Sequence, residues 1–318
     1  MENTTLAPKK NTSASGFWLV ALGAALWGIS PLFRINLLEH MTSMQVVLVE
    51  HLLVCLVAGP ILWMNRHELK NLKLKHYLAM IFISWGGSAL ASVIFTMALT
   101  SGDLNAVILL QKMQPIFAIL LAKLILKETL PQKFGALFTI AIIGTYLLTF
   151  GFHLPFGGGT EWLKIGSLLS LLAAVLWGGS TVMGRLLLGQ LQYKTVTSIR
   201  YVLAIPLLVA MTWIEGGVTN LPQAGPALTS IIVNLLAQAL LPGLLSLLLY
   251  YKGLSSTKAS MATLAELSFP MTGIIVNWLA FGQIITLAQL VGFIFIWSVL
   301  FILTRQQQGN QNQLSTTN

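Results

Sequence analysis

Polar side chains lie inside two long apolar stretches of the sequence, and each set is followed by a proline. The sets are Gln111, Lys112 and Gln114 before Pro115, and Glu266 before Pro270. An ionisable side chain at membrane depth costs at least about 2.5 kcal/mol to insert, so it is rarely kept without a role. Proline also frees a backbone carbonyl, which a membrane helix tolerates where a kink lines a cavity. These residues predict two kinks that border a route for substrate.

The two sets occupy equivalent helix faces. Gln111 lies four residues before Pro115, as Glu266 lies four residues before Pro270, and residues four apart share one face of a helix. Lys112 lies one residue further round the helix, so we expect that it and Gln111 do not both point straight into one cavity.

Lys112 and Glu266 together suggest a receptor for a zwitterion. Placed on opposite walls, the lysine would bind a carboxylate and the glutamate an ammonium group, as in an amino acid. Glu266 is also a candidate proton carrier, because burial disfavours its charged form. The alternative is a structural salt bridge between Lys112 and Glu266 that binds nothing.

Two tryptophans recur about 150 residues apart, within Leu26-Trp27-Gly28-Ile29-Ser30 and Leu176-Trp177-Gly178-Gly179-Ser180. An indole offers a flat apolar wall and one hydrogen-bond donor, which suits an amphiphilic or aromatic substrate. Packing or anchoring at the membrane interface is the alternative, as for most of the nine tryptophans in the chain. We therefore add Trp27 and Trp177 to the predicted substrate-binding residues.

The repeat extends along both halves of the chain. The same offset places Glu50 opposite Arg200, and an offset of about 155 places Gln114-Pro115 opposite Phe269-Pro270. A duplicated membrane unit is typical of transporters. Glu50 lies nearer the outer end of its helix and Arg200 nearer the inner end, so we expect each to have a local structural partner. His51 could relay protons near neutral pH, but one histidine without a known neighbour is weak evidence for that role. Tyr250 and Tyr251 are predicted to anchor a helix end at the interface, and the alternative is that one of them gates the cavity.

Composition indicates a membrane protein, because 56% of the 318 residues are apolar and 8% are charged, with a mean hydropathy of +0.80. Soluble domains carry roughly a quarter charged residues. Ten apolar stretches are long enough to cross a bilayer, for which about 20 residues are needed. They lie near residues 17–37, 44–64, 77–99, 105–126, 133–151, 164–188, 196–214, 228–250, 259–280 and 284–304.

The net charge of +9 reflects topology rather than nucleic-acid binding. With the N-terminus in the cytoplasm, nearly all basic residues fall on the inner side, and Lys164 falls outside. An even number of spans then returns the C-terminus to the cytoplasm, and five helices per half make the repeats inverted. The predicted units are a tail over 1–16, repeats over 17–152 and 160–304, and a disordered tail over 305–318.

The chain resembles the EamA family of the drug/metabolite transporter superfamily over both halves. The resemblance is carried by the paired Leu-Trp-Gly runs, by Pro115 and Pro270, and by Lys127-Glu128-Thr129-Leu130, which is similar to an acidic motif after the fourth helix. The second copy has Gln283 in place of that acid. The resemblance implies ten helices in two inverted five-helix units, a central cavity, and export of small metabolites from a bacterial cell across its inner membrane.

Enzyme chemistry and bound cofactors are not predicted. Cys55 is the one cysteine, and the five histidines are scattered without metal-ligand spacing. Gly157-Gly158-Gly159 is not followed by the lysine of a phosphate-binding loop, so transport would draw on a gradient.

We therefore expect a secondary transporter that exports amino acids or related amphiphiles by alternating access. Proton antiport through Glu266 is the favoured mechanism, with facilitated diffusion as the alternative, and a homodimer is an open possibility. One alternative is a nucleotide-sugar or sugar-phosphate exchanger, but such a protein should carry more than one basic residue deep in its cavity to hold phosphate, and Lys112 alone argues against it. Another alternative is a non-transporting membrane protein, such as a scramblase or scaffold. Such a protein should show a lipid-facing polar groove or a sizeable soluble segment, and the sequence indicates neither.

Overall fold

The protein is helical throughout the residues that its computed structural model describes, with no strand among them. Those residues are 14–70, 72–101, 107, 110–130, 133–153, 165–216, 222 and 224–316. Eight helices within them are long and apolar enough to cross a membrane. The chain is therefore a multi-pass membrane protein.

We number the helices in chain order and give two or three ranges where a helix is interrupted. They are α1 (Ala14–Trp27, Pro31–Leu38), α2 (Ser43–Met64), α3 (Leu74–Ile81, Phe82–Leu90, Ala91–Ser101), α4 (Gln114–Ile125), α5 (Phe134–Phe150), α6 (Ile165–Leu187), α7 (Tyr193–Val202, Ile205–Glu215), α8 (Pro226–Gln238, Ala239–Leu245, Ser246–Leu254), α9 (Ala259–Ala265, Ser268–Phe281) and α10 (Leu287–Thr316).

The predicted count of ten membrane spans is not confirmed. Helices α4 and α5 are apolar but shorter than the other eight, and part of the predicted fourth span, at 105–106 and 108–109, lies outside the described residues. At the other end of the chain, α10 stays helical as far as Thr316, where a disordered tail is predicted. Glutamine is a good helix former, and the tail carries several after Arg305.

Four helices are interrupted just before a proline. Turns precede Pro31 in α1, Pro115 in α4, Pro206 in α7 and Pro270 in α9. Proline has no N–H and its ring clashes with the preceding turn, but it fits the first turn of a new helix. Helices α3 and α8 contain π-helical segments instead, at the equivalent positions Phe82–Leu90 and Ala239–Leu245. Such segments widen the helix and often mark functional sites.

The helices pack with a two-fold pattern that follows the sequence repeat. Helix α1 packs against α8 and α9, and its counterpart α6 packs against α3 and α4. Helix α2 packs against α7, and α5 against α10. The first helix of each half therefore contacts the third and fourth helices of the other half, which places the repeated Trp-Gly pairs between the halves.

Two repeated glycines permit these close approaches. A Cβ atom on Gly28 would lie 2.7 Å from the carbonyl oxygen of Phe269 in α9. A Cβ atom on Gly178 would lie 2.9 Å from the carbonyl oxygen of Gln114 and from the backbone nitrogen of Ala118 in α4. Because backbone atoms cannot move aside as side chains do, the glycine after each tryptophan is required by packing.

We expect Gly178→Ala to destabilise the protein by about 1–3 kcal/mol, since the added methyl group overpacks the α4–α6 contact. The matched control is Gly135→Ala in α5, where an added Cβ meets no atom within 4 Å. Alanine favours a helix over glycine by up to about 1 kcal/mol, so the control should unfold at the same or a higher temperature. Thermal unfolding in detergent gives the midpoint temperature of each variant. Equal midpoints for Gly178→Ala and Gly135→Ala would contradict the packing argument.

Glu128, in the acidic motif after α4, caps the N-terminus of α9, which is the repeat counterpart of α4. The two carboxylate oxygens of Glu128 accept hydrogen bonds from the backbone N–H groups of Ala259 (2.7 Å) and Ser260 (3.0 Å), which begin α9. The Lys258 ammonium donates to the Thr129 carbonyl oxygen at 2.6 Å. A carboxylate is favoured at a helix N-terminus because it satisfies free N–H groups. Glu128 therefore joins the two halves at this end of the bundle.

Candidate substrate cavity

A cavity of about 650 Å³ lies between the two halves and is lined by α1–α4 and α6–α9. Pockets for drug-sized molecules span roughly 300–1,000 Å³. All residues predicted to bind substrate or to kink a helix line it, namely Trp27, Gln111, Lys112, Gln114, Pro115, Trp177, Glu266 and Pro270. The cavity extends along α1 to Leu38, the last residue of that helix.

Glu266 lies at the break in α9 and joins four helices. Its Oε2 atom accepts a hydrogen bond from the Gln114 amide in α4 at 2.9 Å. Its Oε1 atom accepts from the Tyr250 hydroxyl in α8 at 2.7 Å and from the Thr181 hydroxyl in α6 at 3.1 Å. All three partners are neutral, so the carboxylate is held by hydrogen bonds alone.

Lys112 does not form a salt bridge with Glu266, which was the alternative to a zwitterion receptor. Its ammonium lies 5.2 Å from the centre of the Phe269 ring, and among the described side chains the one ion pair is Arg34–Glu50. A cation over an aromatic face is attracted by the ring electrons. Lys112 and Gln111 both line the cavity, where the helix gives way to a turn over Lys112 and Met113.

Each repeated tryptophan contacts an aromatic ring of the opposite half. Trp27 lies 5.2 Å from Tyr250 between ring centres, and Trp177 lies 5.4 Å from Phe95. Tyr250 and Phe95 are themselves about 155 residues apart, which is the repeat offset for the third helix. Trp27, Trp177 and Tyr250 line the cavity, so each half contributes one indole to its wall.

Arg200 lines the cavity and holds three helices together. One of its terminal nitrogens donates to the Ser180 hydroxyl in α6 at 2.8 Å and to the Tyr251 hydroxyl in α8 at 3.0 Å. The other donates to the Gly87 carbonyl oxygen, in the π-helical segment of α3, at 3.2 Å. The planar guanidinium is suited to several fixed bonds at once. Among the described side chains, no carboxylate pairs with it.

Glu50, the repeat counterpart of Arg200, takes part in a second polar cluster. Its Oε2 atom accepts hydrogen bonds from Arg34 at 3.0 Å and from the Gln238 amide at 3.3 Å. The Gln238 carbonyl oxygen in turn accepts from the Ser30 hydroxyl at 2.9 Å. Glu50 and Arg200 therefore have separate local partners, as predicted from their positions in the helices.

The two clusters are related by the repeat although their charges are opposite. Arg200 binds the π-helical segment of α3, and Glu50 lies against that of α8, where a Cβ atom on Gly243 would come within 3.2 Å of Glu50 Oε1. Each cluster also uses the serine of a repeated motif, Ser180 or Ser30. Both halves thus dock a charged side chain of their second helix onto the third helix of the other half.

The prediction that Tyr250 and Tyr251 anchor a helix end at the interface is wrong. Their exposed fractions are 3% and 0%, and their hydroxyls bind Glu266 and Arg200. Two adjacent tyrosines in an apolar run do not reveal which way they face, because a lipid-facing and a protein-facing helix surface are equally apolar. Thr181 was missed for the same reason, although it follows the repeated Trp-Gly motif directly.

A helical membrane protein with a central polar and aromatic cavity between two related halves has the design of a transporter. The model of the EamA-like transporter family matches residues 14–150 and 164–305. The chain therefore belongs to the EamA-like transporter family, which confirms the resemblance found in the sequence.

Two comparisons with individual proteins agree with this assignment. The chain is 34% identical over 287 residues to the riboflavin transporter ImpX of Fusobacterium nucleatum subsp. nucleatum, covering 88% of this chain and 94% of that protein. A solved crystal structure superposes with a TM-score of 0.72 at 16% sequence identity, covering 93% of this chain and 98% of the other. At that identity the crystal structure shows the shared fold alone.

Proposed function

We propose that this protein is a secondary-active transporter that moves riboflavin or a similar flat, amphiphilic metabolite across the membrane by alternating access. The observation that carries the proposal is the cavity between the halves, with Trp27 and Trp177 on its equivalent walls. Indole faces stack on flat ring systems, and the polar residues between them would orient the ring. The similarity to a riboflavin transporter along nearly its whole length supports this substrate class.

Binding of riboflavin tests the proposal through the two tryptophans. We expect Trp27→Ala and Trp177→Ala each to weaken riboflavin binding about tenfold, because each removes one apolar wall of the cavity. Flavin fluorescence quenching by the purified protein in detergent gives the dissociation constants. The matched control is Trp213→Ala, since Trp213 is 85% exposed and should not affect binding.

Two results would contradict the flavin proposal. One is the absence of riboflavin binding by the wild-type protein at concentrations where the fluorescence assay is sensitive. The other is an equal loss of affinity in all three variants, which would place binding outside the cavity.

An amino acid is the second candidate substrate, favoured by the separate charges of Lys112 and Glu266. Both line the cavity, and among the described residues neither pairs with an opposite charge. A zwitterion would supply a carboxylate to one and an ammonium to the other. Competition of amino acids against riboflavin binding in the same fluorescence assay distinguishes the two substrates.

We also propose the finer points of topology and direction predicted from the sequence. These are ten spans with both termini in the cytoplasm of a bacterial cell, units bounded at 17–152 and 160–304, export of substrate, and coupling to protons. The basic residues on one side of the membrane support the orientation.

A single cysteine in each tail tests the orientation, in a background where Cys55 is replaced by serine. The cysteines of Lys10→Cys and Asn310→Cys should react with a membrane-impermeant thiol reagent only after the cells are permeabilised. Reaction in intact cells would reverse the proposed orientation.

A further inference from the structure

We infer that the end of the cavity around Arg34 and His51 is a separate subsite that binds a neutral, hydroxyl-bearing chain of the substrate. This inference rests on the proposed function and names the part of the substrate that this end recognises. Both residues line the cavity, on α1 and α2. Neither belongs to the aromatic walls or to the Glu266 cluster.

His51 presents a hydrogen-bond acceptor that has no partner. The side chain is 6% exposed, and its Nδ1 atom lies 2.8 Å from the Val47 carbonyl oxygen. A carbonyl oxygen only accepts, so Nδ1 carries the proton. In the neutral ring Nε2 is then an acceptor, and it is buried without a hydrogen bond among the described residues. A buried acceptor without a partner is costly, which is an argument for a ligand.

Arg34 presents an unused donor beside Glu50, the residue that precedes His51 in α2. One terminal nitrogen of Arg34 donates to Glu50, but its Nε–H is buried with no partner among the described residues. Glu50 also accepts from Gln238, so this carboxylate is held on two sides. The subsite therefore offers one donor and one acceptor.

The charge of the subsite favours a neutral group. The 3.0 Å ion pair with Glu50 neutralises Arg34. An anionic ligand would have to compete with the Glu50 carboxylate for the same guanidinium. A hydroxyl group both donates and accepts, so it fits the free Nε2 of His51 and the free Nε–H of Arg34 without disturbing the ion pair. The sugar-alcohol chain of riboflavin carries several such hydroxyls.

Comparing the binding of riboflavin with that of a flavin that lacks the hydroxylated chain distinguishes this subsite from the rest of the cavity. Lumiflavin has the riboflavin ring with a methyl group in place of the hydroxylated chain. His51→Phe keeps a ring against Tyr201, whose centre lies 4.8 Å away, and removes the acceptor. Arg34→Lys keeps a cation beside Glu50 and removes the Nε–H. We expect each variant to weaken riboflavin binding about tenfold and lumiflavin binding by less than about twofold.

The control is His67→Phe, because His67 is exposed and should leave both dissociation constants unchanged. Equal losses for riboflavin and lumiflavin, or no loss for either, would overturn the subsite while leaving the flavin proposal intact. If the wild-type protein binds neither flavin, the proposed function fails and the subsite fails with it.

Discussion

Glu266→Gln should abolish accumulation of substrate driven by a pH gradient while leaving substrate exchange active. Glu266 lines the cavity, and its carboxylate accepts hydrogen bonds from α4, α6 and α8. If proton transfer at this carboxylate couples the gradient to transport, glutamine cannot replace it because an amide does not titrate. Reconstituted liposomes with and without an imposed pH gradient measure accumulation, and counterflow of labelled riboflavin measures exchange.

The surroundings of Glu266 make this substitution a sharp test. The glutamine oxygen can still accept from Tyr250 and Thr181, and the amide of Gln114 can rotate to present its oxygen to the new N–H group. The hydrogen-bonded cluster therefore survives, and the charge alone is removed. The cluster can also hold a proton on Glu266 Oε1. The Thr181 and Tyr250 hydroxyls lie 2.9 Å apart beside this atom, and either hydroxyl can accept a hydrogen bond instead of donating one.

Tyr250→Phe is the matched control for Glu266→Gln. It removes the 2.7 Å hydrogen bond to the carboxylate but keeps the charge and the aromatic contact with Trp27. Coupling to the gradient should persist in this variant even if transport is slower. Full gradient-driven accumulation by Glu266→Gln would show that the coupling proton is carried elsewhere or that transport is not coupled to protons.

Much of the fold could be predicted because the repeat and the apolar stretches are both visible in the sequence. Eight of the ten predicted spans correspond to helices long enough to cross a membrane, and the breaks in α4 and α9 precede Pro115 and Pro270. The breaks in α1 and α7 were not predicted, although Pro31 and Pro206 could have signalled them. The two π-helical segments share no such signal, since Ala239–Leu245 contains Pro242 but Phe82–Leu90 contains no proline.

The candidate site could be predicted in part, because polar residues inside apolar helices are few. That filter found Glu266, Lys112, Glu50 and Arg200. It did not show which residues meet, because pairing depends on helix packing across the two halves. The repeat relates some of these contacts to one another, since the Trp27–Tyr250 and Trp177–Phe95 contacts lie at equivalent positions of the two halves.

The opposite charges of Glu50 and Arg200 give the two equivalent docking clusters different strengths. Arg200 donates directly to a backbone carbonyl and two hydroxyls of the helices around it. Glu50 depends on Arg34 and Gln238 to satisfy one oxygen. If the repeats are inverted as proposed, the two clusters lie toward opposite faces of the membrane. If the halves rock about the cavity, each cluster should break in one of the two transport states, and the hydrogen bonds of both clusters are formed in this structure.

Arg200→Lys should therefore reduce the initial rate of transport at least about tenfold, although the charge is kept. A single ammonium cannot bind Ser180, Tyr251 and the Gly87 carbonyl oxygen in the fixed geometry of the guanidinium. Hydrogen bonds to a charged group contribute about 1.5–3 kcal/mol each, so the loss of even one lowers the population of the closed state substantially. Initial rates of riboflavin uptake into liposomes measure the effect.

The control for Arg200→Lys is Arg66→Lys, since Arg66 is exposed and lies 4.6 Å from the ring of Trp63 outside the cavity. That exchange should leave the transport rate unchanged. Riboflavin affinity in detergent separates the two roles open to Arg200. A slow variant that still binds riboflavin normally would place Arg200 in the movement between states, whereas an equal loss of binding and rate would place it in the substrate site. A wild-type rate would show that neither role needs the planar guanidinium.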